Sequence, residues 1–151
     1  MAIARETTLR SAQMASIVKE IAIGVPAPDV WAAIRDFGKV HRLVPGLLAD
    51  CRLDGDARVV TFRGGGRVAR ELLVSIDDDF RRLVYAEPDG PFITRSASCQ
   101  VFALDDRTSR LVWTQDLLPD ELAGLISGNM EKALPDMKRT LESIHAESAQ
   151  W

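Results

Sequence analysis

Glu71 is the acidic side chain whose position most favours a chemical role. It lies in the middle of a predicted strand, where the face it shares with Ala69 and Ser75 is small and polar. A carboxylate in an apolar cavity has a raised pKa unless it is paired, and a raised pKa suits a general acid–base. The alternative is a glutamate on an exposed sheet face that pairs with Arg70, Arg95 or another nearby arginine.

A second polar series lies on the predicted strand 93–104. If this polar face points inward, it gives the interior a hydrogen-bonding wall that orients ligands. If it points outward, Arg95 faces the interior and becomes a candidate anchor for an anion. We favour the inward orientation. The alternating polar side chains are Thr94, Ser96, Ser98 and Gln100.

Two aromatic side chains on other predicted strands are further candidates. Tyr85, the one tyrosine of the chain, lies on the strand after Glu71 and can place its hydroxyl near that carboxylate. Filling of the core is the alternative role for Tyr85. Trp113 lies on the last strand, where tryptophan more often belongs to the core than to a ligand clamp.

Several kinds of catalytic or metal site are disfavoured by what the sequence lacks. His41 and His145 have no partners in a triad, and no serine lies in a nucleophile elbow. The same scarcity of histidines disfavours a metal site. Cys51 and Cys99 are too few and too far apart for a disulfide framework, so we expect reduced, buried thiols. No cofactor is expected.

Length, composition and charge favour a soluble globular domain. The chain has 151 residues, of which 46% are hydrophobic and 27% charged. Its net charge of -3 argues against nucleic-acid binding, which needs a basic face. No run of about 18 apolar residues predicts a membrane span. We expect a cytoplasmic protein with a flexible leader over residues 1–15 and a single domain over residues 16–151.

The order of predicted elements defines an α+β architecture. A strand near Ser16–Ile23 is followed by a helix through Val30 and Phe37, and by a shorter helix that ends at Pro45. Turn signals rich in Asp, Gly or Pro then separate six further strands, as an antiparallel meander requires. The predicted strands are Leu48–Leu53, Arg58–Phe62, Arg67–Ile76, Arg81–Glu87, Ile93–Leu104 and Thr108–Leu117.

One long amphipathic helix is predicted to close the chain, from about residue 120 to Ala146. Its apolar stripe includes Met130 and Leu134. Pro135 predicts a kink or a division near Leu134 because it removes one backbone hydrogen bond. A seven-stranded sheet that curves around one helix does not close on itself easily, so we expect a cavity between them.

Several short segments resemble the START-like superfamily, also called SRPBCC, to which the birch pollen allergen belongs. The resemblance covers roughly residues 16–146 and is closest to the polyketide cyclase/dehydrase branch, and more distantly to plant abscisic acid receptors. The segments that carry it are Val30–Phe37, Pro45-Gly46, Arg70–Leu73, Asp77–Asp79, Arg82–Tyr85, Thr94–Ser96 and Val112–Thr114.

The resemblance implies a helix-grip fold, in which a seven-stranded antiparallel sheet wraps around the C-terminal helix and two short helices lie between strands 1 and 2. It also implies that Glu71 points into the cavity and that the Gly64–Gly66 loop matches the position of a gating loop. The resemblance thus supports Glu71, Thr94 and Ser96 as ligand-binding residues. Together with the residues chosen from the predicted elements, the predicted ligand-binding set is Glu71, Leu73, Tyr85, Thr94, Ser96, Ser98, Trp113, Met130 and Leu134, with His41, Gly65 and Arg67 at the mouth.

Three functions are compatible with these features. The first is binding of a small hydrophobic ligand, such as a lipid, a polyketide or an aromatic compound. The second is a polyketide cyclase or dehydratase that uses Glu71 as general acid–base. The third is a protein-interaction module with a collapsed pocket. A homodimer is compatible with each of them, and fold alone does not decide among them.

Overall fold

A computed structural model of the protein describes residues 13–148. Of the predicted leader, residues 1–12 lie outside the described residues. The chain forms β1 (Ala15–Ile23), α1 (Ala27–Ile34) and a 3-10 helix (Phe37–Arg42). The remaining elements are β2 (Leu48–Asp54), β3 (Ala57–Phe62), β4 (Val68–Asp77), β5 (Arg82–Ala86), β6 (Thr94–Ala103), β7 (Ser109–Leu118), a second 3-10 helix (Asp120–Leu122) and α2 (Ala123–Ser148).

The strands form one antiparallel sheet of seven, in the order β1-β7-β6-β5-β4-β3-β2. Short turns join the hairpins because aspartate side chains accept backbone hydrogen bonds there. Asp77 Oδ1 accepts from the N–H groups of Asp79 and Phe80, each at 3.0 Å. Gly55 takes a φ of 60° between β2 and β3, a conformation that glycine adopts without steric cost. The predicted α+β helix-grip fold is confirmed.

The helix α1 packs its apolar side against the core, and two side chains at its C-terminal end form hydrogen bonds with the β4–β5 turn. Val30, Trp31 and Ile34 are buried. The Trp31 indole N–H donates to Asp78 Oδ1 at 2.9 Å, and Arg35 Nε donates to the same oxygen at 2.9 Å. Asp78 lies in the β4–β5 turn, so this contact fixes α1 relative to the sheet.

The helix α2 runs without division through Pro135, so of the predicted kink or division near Leu134 the division is not found. Two loops hold its second half. The backbone N–H of Gly46 donates to Asp136 Oδ2 at 2.8 Å, and that of Gly24 donates to Glu142 Oε2 at 2.7 Å. A Cβ at either glycine would lie 3.1 Å from the carboxylate. Among residues 13–148, no helix combines the length and apolar character that crossing a membrane requires.

Candidate functional site

A cavity lies between the sheet, the first 3-10 helix and α2. Its volume is about 70 Å³. Apolar side chains make up most of its lining, and α2 contributes Ile126, Asn129, Ala133 and Met137. The polar lining side chains are Arg58, Arg67, Glu71, Arg95, Gln115 and Asn129. The arrangement is an apolar space with a few convergent polar groups, which is typical of ligand pockets.

Glu71 lies at the centre of these polar groups. Its side chain is 6% exposed and bridges two arginines. Arg58 Nε donates to Oε1 at 2.8 Å, and Arg95 Nη1 donates to Oε2 at 3.2 Å. Arg58 lies directly opposite Glu71 in the β3–β4 register, so the hairpin itself brings the pair together. Glu71 therefore points inward, as expected, but it is paired.

The guanidinium groups are held by further contacts. Arg58 packs between two aromatic rings, 4.1 Å from the Phe37 centroid and 4.8 Å from that of Tyr85. Arg95 Nε donates to Gln115 Oε1 at 2.9 Å. These contacts immobilise both arginines around the carboxylate of Glu71.

A second carboxylate, Glu87, extends the cluster toward the surface. It is 1% exposed. Arg67 Nη2 donates to Glu87 Oε1 at 2.9 Å, and Arg95 Nη1 lies 3.5 Å from Oε2. The Arg67 side chain is 39% exposed, so the cluster runs from the buried interior to the edge of the cavity.

The two carboxylates differ in their pKa. Burial alone would raise the pKa of Glu71, but the charges and hydrogen bonds of Arg58 and Arg95 outweigh it and lower that pKa. At Glu87, burial and the nearby charge of Glu71 both disfavour the ionised form. They outweigh the stabilising charges of Arg95 and Arg67, so the pKa of Glu87 is raised. Glu71 is therefore an ionised carboxylate at neutral pH and a poor proton donor. Of the two alternatives, the raised pKa of an unpaired carboxylate is not found, and the pairing with Arg95 is found inside the cavity instead of on an exposed sheet face.

Tyr85 and Trp113 both lie in the cavity wall and contact each other. The Trp113 indole N–H donates to the Tyr85 hydroxyl oxygen at 3.2 Å. Burial, together with the Glu71 charge, raises the pKa of Tyr85 well above its ordinary value. The Tyr85 hydroxyl is therefore protonated at neutral pH and can donate a hydrogen bond to a ligand. A ligand-binding role for both residues stays a prediction.

We expect Tyr85→Phe to lower the free energy of unfolding by about 1–3 kcal/mol, because the buried Trp113 N–H loses its acceptor. Urea unfolding followed by fluorescence measures this change. The ring of residue 85 stays in place to pack against Arg58, so a loss below about 0.5 kcal/mol would mean that Trp113 finds another acceptor.

The face of β6 that points toward the cavity is the one that includes Arg95, and not the face of hydroxyl groups that we favoured. Arg95, Ala97, Cys99 and Val101 are buried, and Arg95 and Cys99 line the cavity. Thr94, Ser96 and Ser98 belong to the opposite face, outside the cavity, so their predicted inward orientation is wrong. The physical reason is that pairing of Arg95 with Glu71 and Gln115 compensates its burial.

Three other predicted contacts are also placed differently. Met130 and Leu134 are buried in the core but do not line the cavity. The residues of α2 that line the cavity there are Asn129 and Ala133, each one position before the predicted residue in the sequence. Leu73 is partly buried against the core and lies outside the cavity lining, beside a register shift between Leu73 and Ser75.

At the predicted mouth, only Arg67 lines the cavity. Gly65 lies in the exposed β3–β4 loop, and no atom of another residue would approach its Cβ within 4 Å. His41 is half-buried in the first 3-10 helix and is not part of the lining. The partly exposed lining residues Leu47, Phe62 and Asn129 mark the edge with Arg67 instead.

Sequence reasoning missed Arg58 and Glu87. A signal for Arg58 existed: a hairpin centred on Gly64-Gly65 places residue 58 opposite Glu71. No comparable signal marked Glu87, which immediately follows β5 and precedes a proline. Its burial depends on the distant Arg67 and Arg95.

The cysteines are buried and unreactive. Cys51 and Cys99 are both free thiols, as expected. Burial raises the pKa of Cys99 to about 12, so the thiolate is scarce at neutral pH. Within residues 13–148, no three His, Cys, Asp or Glu side chains come together in a way that could hold a metal ion.

The fold and the cavity define a helix-grip protein of the START-like superfamily. The chain belongs to the family described as polyketide cyclase / dehydrase and lipid transport, whose model matches residues 14–147. The predicted superfamily and branch are thus confirmed. A comparison with curated proteins finds no match.

Solved structures share the fold. A Thermobifida fusca protein solved by NMR is 29% identical, with a TM-score of 0.71 over 83% of this chain and 92% of its own. The XoxI protein of Bacillus cereus is 20% identical, with a TM-score of 0.77 over 87% and 98%. Norcoclaurine synthase from Thalictrum flavum, in complex with dopamine and hydroxybenzaldehyde, is 16% identical, with a TM-score of 0.71 over 91% and 89%. The last two likenesses concern the fold alone.

Proposed function

We propose that this protein binds a small hydrophobic molecule in the cavity between the sheet and α2. The observation that carries the proposal is the composition of the wall, where apolar side chains surround one buried polar cluster. Family membership supports it, because lipid transport and polyketide chemistry both require an apolar molecule to be held. The norcoclaurine synthase structure, with its two small aromatic molecules, supports it at the level of the fold.

Binding requires the cavity to expand. Its volume of about 70 Å³ is well below the roughly 300–1,000 Å³ of typical ligand pockets. The first half of α2 is the segment best suited to move, since its polar tie to the sheet is one exposed ion pair, Lys19 with Glu131, whereas backbone N–H groups of two loops hold the second half. Gly124 and Gly128 further weaken the first half, by about 1 kcal/mol each relative to alanine.

A bulky side chain at the edge of the cavity should obstruct binding. Titration with N-phenylnaphthylamine, a neutral dye that fluoresces in apolar surroundings, measures binding to the wild type. We expect Asn129→Trp to weaken dye binding about tenfold or more, because Asn129 is a half-buried lining residue of α2. Lys132→Trp is the matched control, since Lys132 is exposed on the same helix and outside the lining. Equal affinities in the two variants would contradict the proposal.

The cyclase or dehydratase hypothesis is less well supported. It needs Glu71 to exchange a proton, whereas Arg58 and Arg95 hold Glu71 in the ionised form. The third hypothesis, a protein-interaction module, is favoured by the small cavity volume. It predicts that the wild type binds no dye and that native mass spectrometry of protein from its source shows a protein complex instead of a small molecule.

A further inference from the structure

Five charged side chains form one alternating chain, and all of them except Glu87 line the cavity. Two carboxylates lie between three guanidinium groups, so both ends of the chain are cationic. Each link is an ion pair of 3.5 Å or less. In order, the members are Arg58, Glu71, Arg95, Glu87 and Arg67.

The four buried members of the cluster balance one another in charge, and the excess cation is Arg67 at the edge of the cavity, whose side chain is 39% exposed. With both carboxylates ionised, the three arginines leave a net charge of +1. In the described part of the chain, no further acidic side chain forms an ion pair with these arginines. Arg58 and Arg95 are 4% and 7% exposed, so water screens their charge poorly. An anion that enters the cavity beside this cluster is therefore stabilised by its net positive charge.

The two buried arginines of the lining have hydrogen-bond donors to spare. Each guanidinium has five N–H groups in a planar fork. Arg95 donates through Nε and Nη1, and Arg58 also donates through Nε and Nη1, which leaves the Nη2 groups of both for another acceptor. Both residues line the cavity, as does Arg67 at its edge. A free Nη2 group of this kind can donate a charge-assisted hydrogen bond to an oxygen of a carboxylate or sulfonate.

We infer that the ligand of this cavity carries one negative charge on an otherwise apolar body. An acidic head of this kind, such as a carboxylate, sulfonate or enolate, binds the arginine cluster while the apolar part contacts α2 and the first 3-10 helix. This inference rests on the proposed function, because it assigns the chemical class of the molecule bound in the same cavity.

Two dyes that share one ring system test the inference. Anilinonaphthalene sulfonate carries a sulfonate, and N-phenylnaphthylamine is the corresponding neutral molecule. We expect the anionic dye to bind the wild type about tenfold more tightly or better, as a charge-assisted hydrogen bond to arginine would give. Octanoate should displace the anionic dye at lower concentrations than octanol does.

Two arginine variants locate the anion site. Arg67→Gln removes the cation at the accessible end of the cluster and brings the net charge of the cluster to zero, so we expect it to abolish most of the preference for the anionic dye over the neutral dye. Arg70→Gln is the control, because Arg70 is an exposed neighbour on the adjacent part of β4 that pairs with Asp54. It should leave the preference unchanged. Far-UV circular dichroism verifies that both variants are folded.

The outcomes separate the two proposals. Equal binding of both dyes to the wild type overturns the inference and leaves the proposed function in place. A preference that survives Arg67→Gln, or that falls equally in Arg70→Gln, also overturns the inference. If neither dye binds and neither octanoate nor octanol produces a heat in calorimetry, the proposed function fails, and the inference fails with it.

Discussion

Replacing Glu71 by glutamine is expected to lower the free energy of unfolding by about 3–5 kcal/mol. Glutamine keeps the shape of the side chain but removes the charge that Arg58 and Arg95 share. Both arginines then lie in a poorly hydrated interior without compensation, and one of glutamine's terminal atoms is a donor facing another donor. Urea unfolding at neutral pH, followed by circular dichroism, measures the change.

The control for this prediction is Asp54→Asn. It neutralises a carboxylate that pairs with Arg70 at 3.3 Å, but both side chains are about half exposed. We expect a loss of at most about 1 kcal/mol there, because water screens the pair. A similar loss in the two variants would mean that burial does not strengthen the Glu71 interaction.

A double variant tests the same ion pair in case the Glu71→Gln protein does not fold. Glu71→Leu combined with Arg58→Met removes one buried ion pair and keeps the net charge of the cluster. Because apolar residues of similar volume often replace a buried ion pair at little cost, we expect at least about 1–2 kcal/mol of the stability to return. No recovery would indicate that the loss arises from packing and not from charge.

Acidification is expected to narrow the difference in the free energy of unfolding between the wild type and Glu71→Gln. The pKa of Glu71 is lower in the folded protein than its ordinary value of 4.5. The stabilisation by this carboxylate is therefore complete above pH 4.5 and is lost as the pH falls through the folded pKa. In that window the gap between the two proteins should close by up to about 1.4 kcal/mol per pH unit.

Glu87 contributes with the opposite sign, which is why the difference between two proteins is the quantity to measure. Its pKa is raised in the folded protein, so its stabilising effect is present at low pH and is lost as the pH rises through the folded pKa. Both proteins contain Glu87, and its contribution cancels to the extent that the two carboxylates titrate independently. A gap that stays constant from pH 7 to about pH 3.5 would show that Glu71 gains no stability from its ionised form.

The fold was predictable because each element has its own local signal. Turns such as Asp77–Asp79 and Asp54-Gly55 separate strands whose lengths follow from the alternation of apolar and polar residues. The apolar stripe of α2 recurs at helical spacing over most of the helix. Pro135 was the exception, since the helix continues through it. The loop contacts of Asp136 and Glu142 lie just beyond that proline and hold the continuous helix in place.

The site was less predictable because strand alternation does not say which face is inside. In β6 the sequence offered a face of hydroxyl groups and a face that begins with Arg95, and a charged residue is rarely buried unless it is paired. The partners of Arg95 are Glu71 and Gln115, which belong to other strands and are far away in sequence. Burial of Arg95 therefore became evident only with the tertiary structure.

The order of strands has a consequence for how the protein is made. β1 pairs with β7, so that Ala15 lies opposite Leu117, and the five other strands come between them in the chain. During synthesis β1 leaves the ribosome before the other strands, but its one partner in the sheet, β7, is the last strand to follow. Pairing across such a distance is slow to form, and unpaired edges invite association with other chains. We therefore expect nascent chains that end before residue 109 to need chaperone protection.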